Sequence, residues 1–180
     1  MGLAEKYPVR YTVQDYLRWQ GDWELIEGIP YAMASPRPIN QYILVRLSQM
    51  LANLFDNMRD CNRCVAFAEL DWYVSFDTVI RPDLMVLCGE IPERVESPPQ
   101  MVVEIVSPSS RQMDEGLKFE LCEMQDVKYF VLVYLDEKMA KVFELVDGKY
   151  REKLDRVFKL DGCEVSVDFL ELFSNFEGRR

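Results

Sequence analysis

The chain has 180 residues, 49% of them hydrophobic and 12% aromatic; this is enough for one domain with a sizeable core, and no apolar run reaches the roughly 18 residues of a membrane span. It contains no histidine, which excludes Ser-His-Asp and Cys-His catalysis and most zinc hydrolase sites. A formal net charge of −10, with the largest acidic excess in residues 61–120, argues against tight, non-specific nucleic-acid binding through a basic surface.

In chain order, residues 1–8 lack the basic and apolar parts of a signal peptide, so a cytoplasmic location is expected. Thr12 with Asp15 predicts the capped start of a short helix. Residues 23–26 and 29–34 flank Glu27-Gly28 and predict a hairpin. Ile39, Ile43, Leu47, Met50, Leu51, Leu54 and Met58 recur at three- and four-residue intervals, the pattern of a long amphipathic helix. Strands are expected over 65–76, 79–87 and 101–106. Ser107-Pro108-Ser109-Ser110 then caps a helix with Met113, Leu117, Leu121 and Met124 on its apolar stripe. A strand over 128–135 completes a βαβ unit, whose outer strands are parallel. Asp147-Gly148 joins a strand over 139–145 to its successor, Asp161-Gly162 marks another turn, and Asp168 caps a terminal helix. The expected fold is α/β with mixed α+β character: one domain, residues 1–180, with a mixed central β-sheet flanked by helices.

The five cysteines, an odd number, fit a reducing compartment better than a disulfide framework. Cys61-Asn62-Arg63-Cys64 is the one close pair. Zinc would need a second pair or histidines, so two small residues at a helix-to-strand turn is the preferred reading.

Chemistry concentrates on three charged residues. Asp83 lies in Ile80-Arg81-Pro82-Asp83-Leu84-Met85-Val86-Leu87, and Glu104 in Met101-Val102-Val103-Glu104-Ile105-Val106. Both runs are apolar enough to be covered on two faces, where an isolated ionised carboxylate loses several kcal/mol, roughly, of hydration. If the strands are neighbours, the acids face each other and repel unless a proton or divalent cation lies between them. Mg²⁺ or Mn²⁺ suits such oxygen donors, with the Ile105 carbonyl as a further ligand. Lys118, four residues after Asp114, is placed to point back toward Glu104 and stabilise charge at a phosphoryl centre. The plainer alternative is that Asp83 caps a turn and Glu104 pairs with Arg81 or Lys118. Glu24, in the first apolar strand, is a fourth candidate beside an even chance of a solvent-facing position. Lys149, Arg151 and Lys153 alternate on a strand, with Arg156 and Lys159 following, as phosphate-contact candidates; a solvated edge strand is the stronger reading.

These segments together resemble the PD-(D/E)XK nuclease superfamily, and more narrowly the Uma-two family of putative restriction endonucleases. The resemblance runs from about Tyr11 to Gly148. It is carried by Tyr11-Thr12-Val13-Gln14-Asp15-Tyr16, Glu24-Leu25-Ile26-Glu27-Gly28, Ala34-Ser35-Pro36, Arg81-Pro82-Asp83-Leu84, Val103-Glu104-Ile105-Val106-Ser107-Pro108-Ser109-Ser110, Asp114, Lys118 and Val127-Lys128-Tyr129-Phe130. It implies a restriction-endonuclease-like core and a site in which Asp83 and Glu104 bind metal, Glu24 supports them and Lys118 is the catalytic lysine. Two positions depart from the pattern: Val106 replaces the superfamily's lysine two residues after the second acid, and Asn40 stands where many family members have histidine.

The expected function is metal-dependent endonucleolytic hydrolysis of DNA by Glu24, Asp83, Glu104 and Lys118. The alternative is a nuclease-like binding or regulatory module of little activity, and a homodimer paired through the 139–145 strand is a further expectation.

Overall fold

The computed structural model describes residues 9–58, 61 and 63–174; the reading of residues 1–8 lies outside them. Helix α1 (Val13–Tyr16) opens where Thr12 N–H donates to Asp15 Oδ2 at 2.9 Å. The first hairpin, β1 (Trp23–Ile26) and β2 (Ile29–Ala32), turns at Glu27 and Gly28. Both have positive φ, 49° and 75°, the backbone that tight hairpins require. Helix α2 (Pro38–Asn57) starts at a proline, whose missing N–H costs nothing in a first turn. It buries Ile43, Leu47 and Leu51 of the expected stripe together with Leu44 and Phe55, and Ile39, Met50, Leu54 and Met58 pack at the margin of that face.

The two longest expected strands are each divided. Residues 65–76 form β3 (Cys64–Ala68) and β4 (Trp72–Ser75), separated by Glu69 in the left-handed region at φ 51°. Residues 79–87 form β5 (Thr78–Ile80) and β6 (Leu84–Cys88). Proline lacks the N–H a ladder needs, so Pro82 breaks the second run and turns the chain from one sheet into another. Then follow β7 (Met101–Val106), a π-helical turn (Met113–Leu117), α3 (Lys118–Met124), β8 (Tyr129–Tyr134), β9 (Met139–Val146), β10 (Lys149–Lys153), β11 (Val157–Leu160) and β12 (Cys163–Ser166). The expected terminal helix is a short 3₁₀ turn, Phe169–Leu172, capped by Asp168 through Leu170 N–H at 3.0 Å.

The central sheet has six strands in the order β10-β9-β8-β7-β6-β3; a four-stranded sheet runs β2-β1-β5-β4, and β11 pairs with β12. β7 and β8 pair in parallel and the other six-stranded neighbours are antiparallel, so the sheet is mixed as expected. Every residue of β7 and β8 is buried. Met101, Val103 and Ile105 pack with α2, while Val102 and Val106 pack with Trp72, Ile80 and Cys122 on the opposite face. Because side chains alternate along a strand, Glu104 falls on this second face, toward α3 and the four-stranded sheet.

Two expectations are corrected. β9 is hydrogen-bonded by both β8 and β10 and has no edge with which to pair across a symmetry axis. Four of the five cysteines form disulfides, Cys61–Cys163 and Cys64–Cys88, leaving buried Cys122 as the free thiol. Odd-count arithmetic missed this because the bonds join positions 102 and 24 residues apart, and one thiol is left over. Closing a loop of about 100 residues removes roughly 4–5 kcal/mol of unfolded-state entropy. Thiol titration of unreduced, denatured protein should therefore find one reactive cysteine, and prior reduction should find five and lower the urea midpoint. Five thiols without reductant would remove both bonds.

Candidate active site

Each acid reaches the site from a different element. Extending the β6–β7 register by one pair beyond Leu84 opposite Val103 places Asp83 opposite Glu104. Asp83 N–H lies 3.4 Å from Glu104 Oε2, and Ile105 N–H donates to Asp83 Oδ2 at 2.6 Å. In a strand the N–H and C=O of one residue point to the same edge, so the Ile105 carbonyl also faces the end of β6, where the ladder has stopped. Glu24 comes from β1, and its Oε1 accepts from Arg81 N–H at 2.8 Å. Arg81 is itself held through Nε to Asp71 at 2.7 Å and through Nη1 to Asp22 at 3.0 Å, so it does not pair with Glu104.

Lys118 joins these pieces. Its Nζ lies 2.9 Å from Glu24 Oε1 and 3.1 Å from Glu104 Oε1, so the ion pair offered as the plainer reading of Glu104 is present and includes Glu24 as well. Glu24, Glu104, Asp114 and Lys118 are 3%, 1%, 2% and 4% exposed. The solvent-facing alternative for Glu24 does not hold: Glu24, Leu25 and Ile26 are buried consecutively, a strand covered on both faces that shows no alternation. The five residues Glu24, Asp83, Glu104, Ile105 and Lys118 line one cleft of about 200 Å³.

Asp114 is the member that sequence reasoning left outside the site, although its i, i+4 spacing to Lys118 was the signal. It sits in the π-helical turn, where Lys118 N–H reaches back to the Met113 carbonyl. Such wide turns recur at functional sites. Its Oδ2 is buried without a hydrogen-bond partner among the described residues. Asn40 also lines the cleft, from the first turn of α2, with its Oδ1 likewise unpartnered.

Burial sets the electrostatics. Desolvation raises the carboxyls of Asp83 and Glu104, against lowering by the Ile105 N–H at the first and by Lys118 at the second. Asp114 is pushed up to about 6 by burial, with Lys118 and Ser110 opposing. Burial pulls the Lys118 ammonium down, but Glu104, Glu24 and Asp114 outweigh it and hold the group well above its ordinary value. Lys118 is thus a fixed cation with no lone pair to accept a proton. The Cys122 thiol, raised by burial and by Glu104, stays protonated and unreactive.

The donor set suits a hard cation. Four carboxylates line the cleft beside one ammonium, and Asp114 Oδ2 is buried without a hydrogen-bond partner among the described residues, while Glu104 Oε1 is met by Lys118 alone. Among the described residues no three His, Cys, Asp or Glu side chains form a ready ligand cluster. An ion at Asp83, Glu104 and the Ile105 carbonyl would complete its shell with water or substrate oxygens, the habit of Mg²⁺. The basic candidates Lys149, Arg151 and Lys153 lie elsewhere, on β10, three strands from β7. Lys149 pairs with Glu123, and Lys153 with Glu144 and Asp155.

Residues 13–169 match the family model Uma2, whose description reads "Putative restriction endonuclease". The chain belongs to the Uma2 family. A solved structure with the same fold is that of a "putative nuclease belonging to DUF820" from Anabaena variabilis ATCC 29413, at 20% identity and a TM-score of 0.72, covering 91% of this chain and 97% of that one. No curated protein matches. The Uma2 match extends past β10 to Phe169, so the β11–β12 hairpin lies within the family's span.

A carboxyl raised by folding stabilises the protein below its unfolded value and loses that contribution as pH rises through its folded value. Asp114, raised from 3.8 to about 6, should therefore cost stability at neutral pH. In EDTA at pH 7.5, Asp114→Asn is expected to be more stable than wild type by about 1–3 kcal/mol, with the difference vanishing below about pH 4. Urea midpoints at both pH values test this; a less stable variant at pH 7.5 would mean that Lys118 outweighs burial.

Proposed function

We propose that this Uma2-family chain is a metal-dependent endonuclease that hydrolyses phosphodiester bonds in DNA. The observation that carries the reading is the convergence of Glu24, Asp83, Glu104 and Lys118, from three sequence-distant regions, on one cleft. Structural ion pairs also occur in sheets, but they do not require four carboxylates around one lysine at a cleft floor. Asp83, Glu104 and the Ile105 carbonyl would hold Mg²⁺ or Mn²⁺, which polarises the phosphoryl group and lowers the pKa of a bound water. Lys118, held protonated between Glu24 and Glu104, stabilises the charge that develops on the phosphoryl oxygens. Attack by water forms one P–O bond as the bond to the leaving oxygen breaks, the water's proton passing to a cleft carboxylate and the leaving oxygen taking a proton from solvent water. Glu24 fixes Lys118 and, through Arg81 N–H, the corner that presents Asp83.

A cytoplasmic location belongs to the same proposal, and the two disulfides are the observation that weighs against it. No described helix is long and apolar enough to cross a membrane. A homodimer paired through the central sheet would use β3 or β10, the sheet's two edges. The rival reading, a binding module with little catalysis, draws on Asn40, an amide that lines the cleft and cannot shuttle protons.

Mg²⁺ or Mn²⁺ at one hundred times its dissociation constant should stabilise the fold by about 2.7 kcal/mol, and Asp83→Asn should abolish that shift. Lys118→Ala should keep metal binding and lose at least about 100-fold in DNA cleavage. Because removing one partner of a buried pair costs about 3–5 kcal/mol, cleavage is compared well below each variant's melting midpoint. Metal binding without cleavage of any DNA by wild type would leave the binding-module reading in place.

A further inference from the structure

We infer that the cleft takes an unpaired nucleic-acid strand and discriminates against duplex, an inference that rests on the nuclease reading above and names its substrate class. The cavity, about 200 Å³, is below the roughly 300–1,000 Å³ of ordinary small-molecule sites, and of its charged lining Glu24, Glu104, Asp114 and Lys118 are almost wholly buried and Asp83 partly so. A phosphodiester must therefore enter the slot to reach Asp83, Glu104 and Lys118. A flexible strand can present one phosphate in this way. A duplex carries its phosphates on a broad convex surface between grooves of about 12 Å and 6 Å, and the cleft walls meet that surface first.

The walls supply what a single strand needs. Residues 31–37 line one side without a break. Tyr31 stands opposite Glu24 in the β1–β2 register, and cross-strand partners share a face, so its half-buried ring lies beside the Glu24 carboxylate as a platform for one base. Arg37, at the end of this wall, is placed to meet the adjoining backbone phosphate. Duplex-binding proteins commonly neutralise about 6–10 phosphates. Here two cations line the cleft, and Lys118 is already held by two carboxylates, which leaves Arg37. The alternating basic residues of β10 lie about 14 Å from β7 across the sheet, and two of the three are ion-paired.

The test uses the full chain with Mg²⁺ or Mn²⁺ and three end-labelled DNAs of one sequence: single-stranded, blunt duplex, and duplex with an unpaired flap. Cleavage at least about tenfold faster on the single strand, with cuts in the unpaired part of the flap substrate, is expected. Binding followed by anisotropy in Ca²⁺ should show the same order, with a shallow salt slope of about −1, the value for one or two phosphate contacts. Tyr31→Ala should weaken single-strand binding about tenfold, and Tyr31→Phe should restore it. Duplex cut or bound as well as single strand, or a slope of −6 or steeper, overturns the inference while the nuclease reading stands. If nothing is cut, the nuclease reading fails, and the binding order alone decides strand preference; binding of neither DNA overturns it too.

Discussion

The structure depends on a buried lysine held between two buried glutamates. Glu24 arrives on the first strand, Glu104 on the centre of the six-stranded sheet, and Lys118 at the start of α3. Removing any one of these charges from water costs several kcal/mol, roughly, and mutual attraction repays the cost only when geometry and hydrogen bonds are good. Contacts of 2.9 and 3.1 Å, with Arg81 N–H as a further donor to Glu24, meet that condition. These three residues thus tie the four-stranded sheet, the six-stranded sheet and α3 to one point in the cleft lining.

Charge balance explains the rest of the cleft. One ammonium cannot neutralise Glu24, Asp83, Glu104 and Asp114, and the surplus appears as raised carboxyls at the last three. Such a surplus is costly in a purely structural cluster, because hydrophobic replacements of similar volume are often as stable. It is retained most readily where a cation or a phosphoryl group takes part. Asp83, Glu104 and Asp114 are three of the eleven acids in residues 61–120, so the site accounts for part of that segment's acidic excess and the other eight acids lie outside the cleft.

Much of this was legible in the sequence because the decisive residues break a local rule. Asp83 and Glu104 were visible as charges in apolar runs, and the Glu27-Gly28 hairpin, α2, the parallel β7–β8 pair and the Asp147-Gly148 turn follow from spacing and turn chemistry. The failures have physical causes too. Pro82 and the left-handed Glu69 divide strands that composition alone reads as continuous. Glu24 gave no clear signal, since a strand covered on both faces loses its alternation. Spacing places Asp114 one turn before Lys118 beside an apolar stripe but does not tell that the acid is buried, which the fold around the π-helical turn decides. Pairing of Cys61 with Cys163 is a tertiary fact with no local trace.

Glu104 takes its cation from the crossover after β7 and not from its own strand. Val106 is two residues beyond Glu104, on the same face of β7, so a lysine there would stand beside the acid directly. Val106 instead packs with Trp72, Ile80 and Phe130, and that part of the face has become core. The charge is supplied from the crossover that parallel pairing of β7 with β8 demands, at the first residue of α3. Its ammonium reaches Glu104 at 3.1 Å from a helix that is anchored by Cys122 in the same apolar cluster. The strand is left free to be apolar, and the position of the cation then depends on how α3 is seated, which is where the π-helical turn and Asp114 act.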